Sequence, residues 1–341
     1  MVSEGTNERR LVLVQKESES MTEAINIVGA LNKALHDEME KDNLVIVLGE
    51  DVGKDGGVFR VTEGLFEKWP DRVIDTPLAE TGIAGVSIGL AAGGMKPVAE
   101  IQFDGFMHSA LDQMISHAGR IRNRSRGRFT CPMVLRAPYG GGIKALEHHS
   151  DSPEAYYVHT PGLKVVVPAT PNDAYWLLRA SIQDPDPVVF LEPKRVYRAI
   201  KEEISDRPIK LGEAQIIQSG DDVTVISWGA MVRTCTRAIE KTKDISVELI
   251  NLRTLKPLDI DAITNSVKKT GRCVIVQEAP RTCGFASELI ALINEKAFLN
   301  LEAPPMRVTG YDTVIPLAKM EAEYFPDENR VARMIEKAAR F

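Results

Sequence analysis

The sequence predicts an α/β protein of two domains, each with a mostly parallel sheet flanked by helices. Short apolar runs that fit buried strands alternate with helical apolar stripes along most of the 341 residues. The pattern lapses once, at Glu202–Lys210, and then restarts. A chain of this length can bury two cores. We therefore expect an N-terminal extension at 1–20, a first domain at 21–200, a linker at 201–210 and a second domain at 211–341.

Composition narrows the class of protein. Apolar residues make up 44% and charged residues 26%, as is typical of a soluble globular protein. The net charge of −6 argues against a general nucleic-acid binder. The four cysteines form no CxxC pair and no zinc spacing, which suits a reducing compartment. With no secretory signal evident, we expect a cytoplasmic protein, or a mitochondrial-matrix protein that has already been processed.

The first domain begins with a helical stripe from Ala24 to Met39. Leu44–Leu48 is a run of five apolar residues, which fits a strand buried on both faces. The next loop carries Glu50 and Asp51, for which a pair of solvated carboxylates is a simpler interpretation than a site. Further strands are expected at Lys96–Phe103, Cys131–Arg136, Val165–Pro168 and Val188–Leu191, with helices at Asp104–Ile115 and Asp173–Ile182.

The second domain repeats the alternation without a glycine-rich phosphate fingerprint. Its strands are expected at Val223–Ile226, Val247–Leu252 and Cys273–Val276, with helices at Met231–Lys243 and Ala286–Lys296. The sequence of this half therefore predicts strands and helices, but it does not indicate a catalytic site.

The stretch Arg72–Gly94 is the strongest candidate for chemistry. Its short β-type run breaks before Pro77, and Glu80 then opens a helix of small apolar residues. One stripe of that helix consists of glycines: Gly82, Gly85, Gly89 and Gly93. Each glycine costs about 1 kcal/mol against alanine, and such a stripe is tolerated where another backbone approaches closely. Glu80 is most simply a carboxylate favoured by the helix dipole, although parallel sheets also place reactive groups on such loops.

Two adjacent histidines form a second candidate site. His148 and His149 follow Gly140–Gly142 on a polar loop, and histidine exchanges protons near neutral pH. By themselves they are most simply solvated, although such a pair could also bind a metal. A basic cluster at Ile121–Gly127 most simply faces solvent or a partner in a chain this acidic.

Several motifs together resemble the β subunit of the thiamine-diphosphate-dependent E1 component of 2-oxoacid dehydrogenases. They are DTPLAETGIAG from Asp75, AEIQFDGF from Ala99, HSDSPE from His149 and FLEPKRVYR from Phe190. The resemblance runs from Met21 to Phe341. It implies a transketolase-like pyrimidine-binding domain followed by a transketolase C-terminal-like domain.

The resemblance also implies a set of site residues. Glu80 matches the cofactor-activating glutamate, and Leu78 matches a position whose backbone contacts the pyrimidine. Gln102 would lie in the cofactor pocket. Phe106, where relatives often carry tyrosine, would pack on the aminopyrimidine ring, although a core aromatic remains an equal alternative. We expect Leu78, Phe106 and the glycine helix to surround Glu80 with apolar groups. His149 is the candidate proton donor or positioning group at the lipoyl or 2-oxo end.

The implied reaction is oxidative decarboxylation of 2-oxoacids with reductive acylation of the lipoyl group of E2. The segments EPKRVYR and EHHSDSPE are most similar to branched-chain enzymes, so branched-chain 2-oxoacids are expected ahead of pyruvate, with acetoin third. The family's GDG motif for Mg²⁺ with a later asparagine is missing from the chain. The resemblance therefore implies that an E1 α subunit holds Mg²⁺ and the diphosphate, in an α2β2 heterotetramer whose β chain is inactive alone.

Two further binding sites are implied by the resemblance. A K⁺ ion would lie at the segment SIQDPDP, with Asp184 and Asp186, although a turn that ends a helix explains the same residues. The second domain would dock the peripheral-subunit-binding domain of E2, with acidic residues and the terminal carboxylate of Phe341 facing basic side chains.

Two rival functions stay open. A transketolase-like transferase would need basic residues for substrate phosphate, and three arginines offer them: Arg120, Arg122 and Arg124. A non-enzymatic assembly subunit would keep the fold and only dock E2. The motif HSDSPE argues against the first rival, and retention of both Glu80 and His149 argues against the second.

Overall fold

A computed structural model describes residues 24–341, so the expected extension at 1–20 lies outside the described residues. The described chain forms two sheets, each covered by helices, which confirms the predicted α/β class. Among these residues no helix combines the length and the apolarity needed to span a membrane.

The strands and helices have the following bounds. The strands are β1 (Val45–Gly49), β2 (Val73–Asp75), β3 (Lys96–Glu100), β4 (Val134–Tyr139), β5 (Lys164–Val166), β6 (Val188–Pro193), β7 (Gln215–Gln218), β8 (Val223–Ser227), β9 (Val247–Asn251), β10 (Thr254–Lys256), β11 (Cys273–Val276) and β12 (Met306–Val308). The helices are α1 (Ile27–Lys41), α2 (Leu65–Lys68), α3 (Glu80–Ala92), α4 (Met107–Ser116), α5 (Ile121–Arg124), α6 (Glu154–His159), α7 (Pro171–Gln183), α8 (Ala230–Ile239), α9 (Ile260–Thr270), α10 (Phe285–Ala297), α11 (Glu321–Tyr324) and α12 (Glu328–Ala339).

Both sheets are parallel except at one edge. The first sheet has seven strands in the order β10-β5-β6-β4-β3-β1-β2, and only β10 runs antiparallel to its neighbour. The second has five strands in the order β12-β11-β8-β9-β7, and only β7 is antiparallel. The mostly parallel sheets predicted from the alternation of strands and helices are therefore confirmed.

The central strands are buried on both faces, as their apolar runs predict. Every residue of β1 is buried. Because side chains alternate across a strand, Val47 enters one hydrophobic cluster and Leu48 the other. Helices α1 and α7 pack together on the Val47 side, and α3 and α4 contribute to the cluster that holds Leu48. Since β1, β2, β3 and β4 are parallel neighbours, their carboxyl ends meet at one edge of the sheet.

Strand β10 joins the two halves of the chain. It lies in the sequence of the second domain, yet it pairs with β5 as the edge strand of the first sheet. Next to it, Arg253 Nε donates to Asp173 Oδ1 at 2.6 Å, and Asn251 Nδ2 donates to Asp173 Oδ2 at 2.8 Å. The local sequence pattern does not predict this crossing, because a three-residue strand carries too little periodicity.

The segment 201–210 contains no helix and no extended strand. It runs along the first half, where Trp176 Nε1 donates to the Ser205 carbonyl at 2.8 Å and the Ser205 amide donates to Asn172 Oδ1 at 2.8 Å. The segment is therefore held against α7 rather than free of it, and the domain division at this point stays a prediction.

Helix α3 keeps one face uncovered within the chain. Its buried residues are Ile83, Ala84, Ser87, Ile88 and Ala91. On the other face Val86 is 57% exposed, and a Cβ built on Gly89 would meet nothing within 4 Å. Packing within the described residues thus gives no reason for a glycine at position 89.

Candidate functional site

The residues predicted to bind or activate the cofactor come together at the carboxyl edge of the first sheet, whereas the predicted potassium ligands do not. Glu50 follows β1, Glu80 follows β2, and Gln102 and Phe106 follow β3. The loop with His149 follows β4. Since β4, β3, β1 and β2 are consecutive neighbours, four separate loops reach one region, which is where parallel α/β sheets place their ligands.

Glu80 and Glu50 form the acidic part of the site. Glu80 is the first residue of α3 and is half-buried. Glu50 is only 5% exposed, and its Oε1 has no hydrogen-bond partner among residues 24–341. Burial, and next the negative charge of Glu80, raise the pKa of the Glu50 carboxyl. The interpretation of Glu50 as a solvated loop residue is therefore wrong, whereas Asp51 is exposed as expected.

Gln102 and Leu78 differ in how the chain holds them. Gln102 Nε2 donates to Asp51 Oδ2 at 2.8 Å, so its amide is fixed beside the β1 loop. The side chain of Leu78 is 81% exposed. Leu78 therefore does not supply the apolar cover that we expected over Glu80, because within this chain it points away from any packed surface.

His149 lies against two aromatic rings. Its ring centroid is 4.3 Å from that of Phe103 and 5.1 Å from that of Phe106. His149 Nδ1 is 2.7 Å from the Glu147 carbonyl oxygen, which can only accept, so Nδ1 carries a proton. In the neutral ring Nε2 is then the proton acceptor. Phe106 is half-buried in a turn of 3₁₀ helix at Asp104–Phe106.

Gly105 allows this close approach. A Cβ at Gly105 would lie 2.2 Å from the His148 carbonyl oxygen, so any larger residue would push the histidines away. His148 itself is exposed, and its Nδ1 lies 3.8 Å from Asp151 Oδ2. The two adjacent histidines therefore have different surroundings, and only His149 faces the aromatic residues of the site.

Asp184 and Asp186 lie apart from this group. They follow α7 and precede β6, which places them at the amino edge of the sheet. Lys164 Nζ lies 2.6 Å from both carboxylate oxygens of Asp184, and Arg122 Nε lies 2.6 Å from Asp186 Oδ1. Both carboxylates are thus already neutralised by cations of the chain. In the part of the chain that the structure describes, no three acidic, histidine or cysteine residues group as metal ligands would.

Sequence analysis missed three contributors to this region. The sequence pattern places Phe103 at the end of a strand and favours a solvated side chain for Glu50. The buried pair Asp104 and Lys194, with 2.9 Å between Oδ2 and Nζ, was not predicted at all. A charged residue directly after an apolar strand was the available signal for Glu50, but the Asp104–Lys194 pair joins residues 90 positions apart and leaves no local signal.

Comparison with known proteins finds a matching family model for each half of the chain. Residues 23–200 match the family model described as transketolase, pyrimidine binding domain, and residues 212–331 match transketolase, C-terminal domain. The chain is 52% identical over 321 residues to the pyruvate dehydrogenase E1 component subunit beta of Acholeplasma laidlawii, which covers 93% of this chain and 98% of that protein. It is 49% identical over 325 residues to the 3-methyl-2-oxobutanoate dehydrogenase subunit beta of Mycobacterium tuberculosis, covering 94% and 93%.

Among solved structures, the chain resembles a split gene transketolase in its inactive beta4 tetramer. The TM-score is 0.78 with 21% sequence identity, over 93% of this chain and 99% of the other. At this identity the likeness establishes the fold alone.

Proposed function

This chain belongs to the family of E1 β subunits of the 2-oxoacid dehydrogenases, and from that premise we propose that it acts in oxidative decarboxylation of branched-chain 2-oxoacids. In this proposal the chain works with an E1 α subunit in an α2β2 heterotetramer and supports reductive acylation of the lipoyl group of E2. The names of the relatives divide between pyruvate and 3-methyl-2-oxobutanoate, so pyruvate is the alternative substrate for the same residues.

One observation carries the subunit proposal: Glu80 opens a helix whose glycine-rich face is largely open in the described part of the chain. Val86 and Leu78 are 57% and 81% exposed beside it, and Gly89 faces open space. Two large exposed apolar side chains and an open glycine therefore adjoin the half-open site. A second subunit packed on this face would both bury the helix and complete the wall over Glu80.

The residues present fit the aminopyrimidine half of thiamine diphosphate. Bound thiamine diphosphate supplies the electron sink for decarboxylation. Glu80 would hold or share a proton at its carboxyl group, and the Phe106 ring offers an aromatic face. The buried Oε1 of Glu50, which lacks a partner, suits a ligand that brings a hydrogen-bond donor. We assign Mg²⁺ and the diphosphate to the α subunit, because the sequence lacks the family's motif for them.

His149 would move or position a proton at its Nε2, on the side where the 2-oxo or lipoyl group enters. The Glu147 carbonyl fixes the proton on Nδ1, so the tautomer is set by the chain itself. Phe103 and Phe106 hold the ring from two sides. This arrangement restricts rotation of the imidazole, as a positioned acid or base requires.

The remaining assignments follow from the family resemblance. E2 would dock on the second half through its peripheral-subunit-binding domain, with the Phe341 carboxylate among the contacts. A K⁺ ion at Asp184 and Asp186 would compete with Lys164, whose ammonium already holds the first carboxylate. We place the protein in the cytoplasm on the basis of its free thiols, three of which are buried.

Reconstitution tests the proposed function. The chain is mixed with its candidate E1 α subunit, thiamine diphosphate and Mg²⁺, and decarboxylation of 3-methyl-2-oxobutanoate and of pyruvate is followed with an artificial electron acceptor. We expect activity only with both chains and a higher kcat/KM for the branched acid. A preference for pyruvate would change the substrate but keep the residues in their roles. Turnover by the β chain alone, or none of either acid by the assembled pair, would overturn the proposal.

A further inference from the structure

The loop between β4 and α6, residues 140–152, is called the histidine loop below. It begins with three consecutive glycines whose backbone amides each donate to a different carboxylate. Gly140 N donates to Asp104 Oδ2 at 2.8 Å, Gly141 N to Glu278 Oε1 at 3.3 Å, and Gly142 N to Glu321 Oε1 at 2.6 Å.

These three acceptors come from distant parts of the chain. Asp104 lies in the 3₁₀ turn of the first half, Glu278 follows β11, and Glu321 opens α11. All three are buried, at 0%, 3% and 4% exposure. The second half therefore supplies two of the three carboxylates that hold the start of a loop in the first half.

The glycines are required for this contact. A Cβ on Gly141 would lie 2.0 Å from Phe325 Cζ, and one on Gly142 would lie 2.6 Å from Arg195 Cγ. Gly142 also has φ +98°, which side chains rarely adopt. Gly141 thus lies directly against the second half and Gly142 against Arg195 of the first half, with no room for a side chain at either position.

Burial of these carboxylates opposes folding. It raises the pKa of Glu278 to about 7, although the charge of Arg195 acts in the opposite direction. A buried acceptor that binds one amide recovers only part of its desolvation cost. An apolar side chain would fill the same space at a lower cost in free energy. Holding the loop is therefore a reason for acidic residues at these positions.

The far end of the loop is tied to the same turn. The Gly140 amide also donates to the Asp151 carbonyl at 2.8 Å, which closes the loop on itself. Between these ends, His148 packs on Gly105 and the His149 ring lies on Phe103. A displacement of the glycine turn would therefore be transmitted to His149.

We propose that Glu278 and Glu321 are positioning residues, which hold the histidine loop through the Gly141 and Gly142 amides and thereby place His149. This inference rests on the proposed function for its catalytic consequence, but the hold on the loop can be measured without turnover. Neither residue touches the reacting groups; each acts through the loop. The second half of the chain thus has a part in the active site as well as in docking.

The test uses the assembled α2β2 protein with Glu321→Ala, Glu321→Gln and, as a matched control, Glu323→Ala, which changes an exposed glutamate of the same helix. Two quantities are measured: the rate of trypsin cleavage after Lys144, identified by mass spectrometry, and the kcat and KM for the 2-oxoacid. Lys144 is exposed within the loop. Losing a hydrogen bond to a charged group is worth about 1.5–3 kcal/mol, so Glu321→Ala should speed cleavage by roughly tenfold or more.

We expect Glu321→Ala to lower kcat by a similar factor while KM changes little, because substrate contacts stay in place. Glu321→Gln keeps an acceptor oxygen and should largely restore both quantities, and Glu323→Ala should match the wild type. If the alanine variant does not assemble, Glu321→Asp decides, since it withdraws the oxygen from Gly142 but keeps the charge. Unchanged cleavage and kcat in that variant, or in Glu321→Ala, would overturn the inference. An inactive wild-type assembly would instead count against the proposed function and leave the cleavage result intact.

Discussion

The imidazole of His149 lies on the Phe103 ring, with 4.3 Å between the centroids and 56° between the ring planes. This contact separates His149 from its neighbour His148, which is 61% exposed at its side chain. The two histidines are identical in type and adjacent in sequence. Their different surroundings therefore allow a matched pair of substitutions.

We predict that His149→Ala lowers the kcat of the reconstituted enzyme by about 100-fold or more, as removal of a positioned acid or base does. His148→Ala should change kcat by less than about threefold, because its ring lies outside the aromatic contact. Both are measured by decarboxylation with the α subunit present. Equal losses in the two variants would mean that the loop as a whole, rather than the His149 ring, is what activity requires.

Glu80→Gln should reduce decarboxylation to roughly 1% or less and leave assembly with the α subunit unchanged. The amide keeps the size of the side chain but cannot share a proton with the pyrimidine. Glu67→Gln, at an exposed position of α2, controls for the loss of one negative charge. Full activity of Glu80→Gln would favour the rival in which the chain only assembles the complex.

Gly89→Ala should stabilise the isolated chain and yet weaken its assembly. Alanine is favoured over glycine within a helix by about 1 kcal/mol, and its Cβ would meet nothing within 4 Å. Urea unfolding of the isolated chain measures the first effect. Sedimentation of the mixture with the α subunit measures the second, which should be larger for Gly89→Leu.

Lys268→Leu, at an exposed position of α9, is the control for an added apolar surface residue. It should assemble normally. If Gly89→Leu bound the α subunit as tightly as the wild type, the uncovered face of α3 would not be the subunit interface.

Glu154 predicts a pH dependence of stability. It is fully buried, its Oε2 has no partner, and burial raises its pKa from 4.5 to about 7. Between these two pH values the folded chain holds a proton that the unfolded chain has released. The free energy of unfolding therefore falls as pH rises through this window and levels off above about pH 7.

We expect Glu154→Gln to remove this decrease in the free energy of unfolding with rising pH. Since one pKa unit corresponds to about 1.36 kcal/mol, the variant should be more stable than the wild type above about pH 7 by up to roughly 3 kcal/mol. The gain should shrink towards zero near pH 4.5. Urea unfolding across this range tests it, with Glu67→Gln as the control. A difference that is constant with pH would contradict the assignment to Glu154.

From the contacts of Lys164 we predict how the chain responds to K⁺. Its Nζ binds both oxygens of Asp184 and lies 3.8 Å from Asp186 Oδ2. Lys164→Met should lower the melting temperature, since it leaves the Asp184 carboxylate without its cation. At equal ionic strength, K⁺ should raise the melting temperature of the variant more than Na⁺ does. K⁺ should raise the melting temperature of the wild type less than that of the variant. If neither protein responded to K⁺, the potassium site would be wrong; if both responded equally, K⁺ would bind beside Lys164.

The apolar run Leu44–Leu48 and the repeated alternation after it were enough to predict two parallel sheets, because burial on both faces leaves a direct mark on sequence. The motif around Glu80 and the one around His149 were enough to predict the family. The glycine stripe predicted a close packing partner for α3, and the structure shows that face uncovered within the chain.

Other relationships were decided only by the tertiary structure. The amides of Gly141 and Gly142 find their acceptors 137 and 179 residues further along the chain, and β10 leaves its own half to complete the first sheet. The sequence by itself determined the central strands of both sheets, the longer helices packed on them and the chemistry of the motifs, since these depend on periodicity and on residue type within a few positions. Only the folded chain determined which carboxylates are buried and what they hold, because desolvation and hydrogen-bond geometry arise when distant segments pack together.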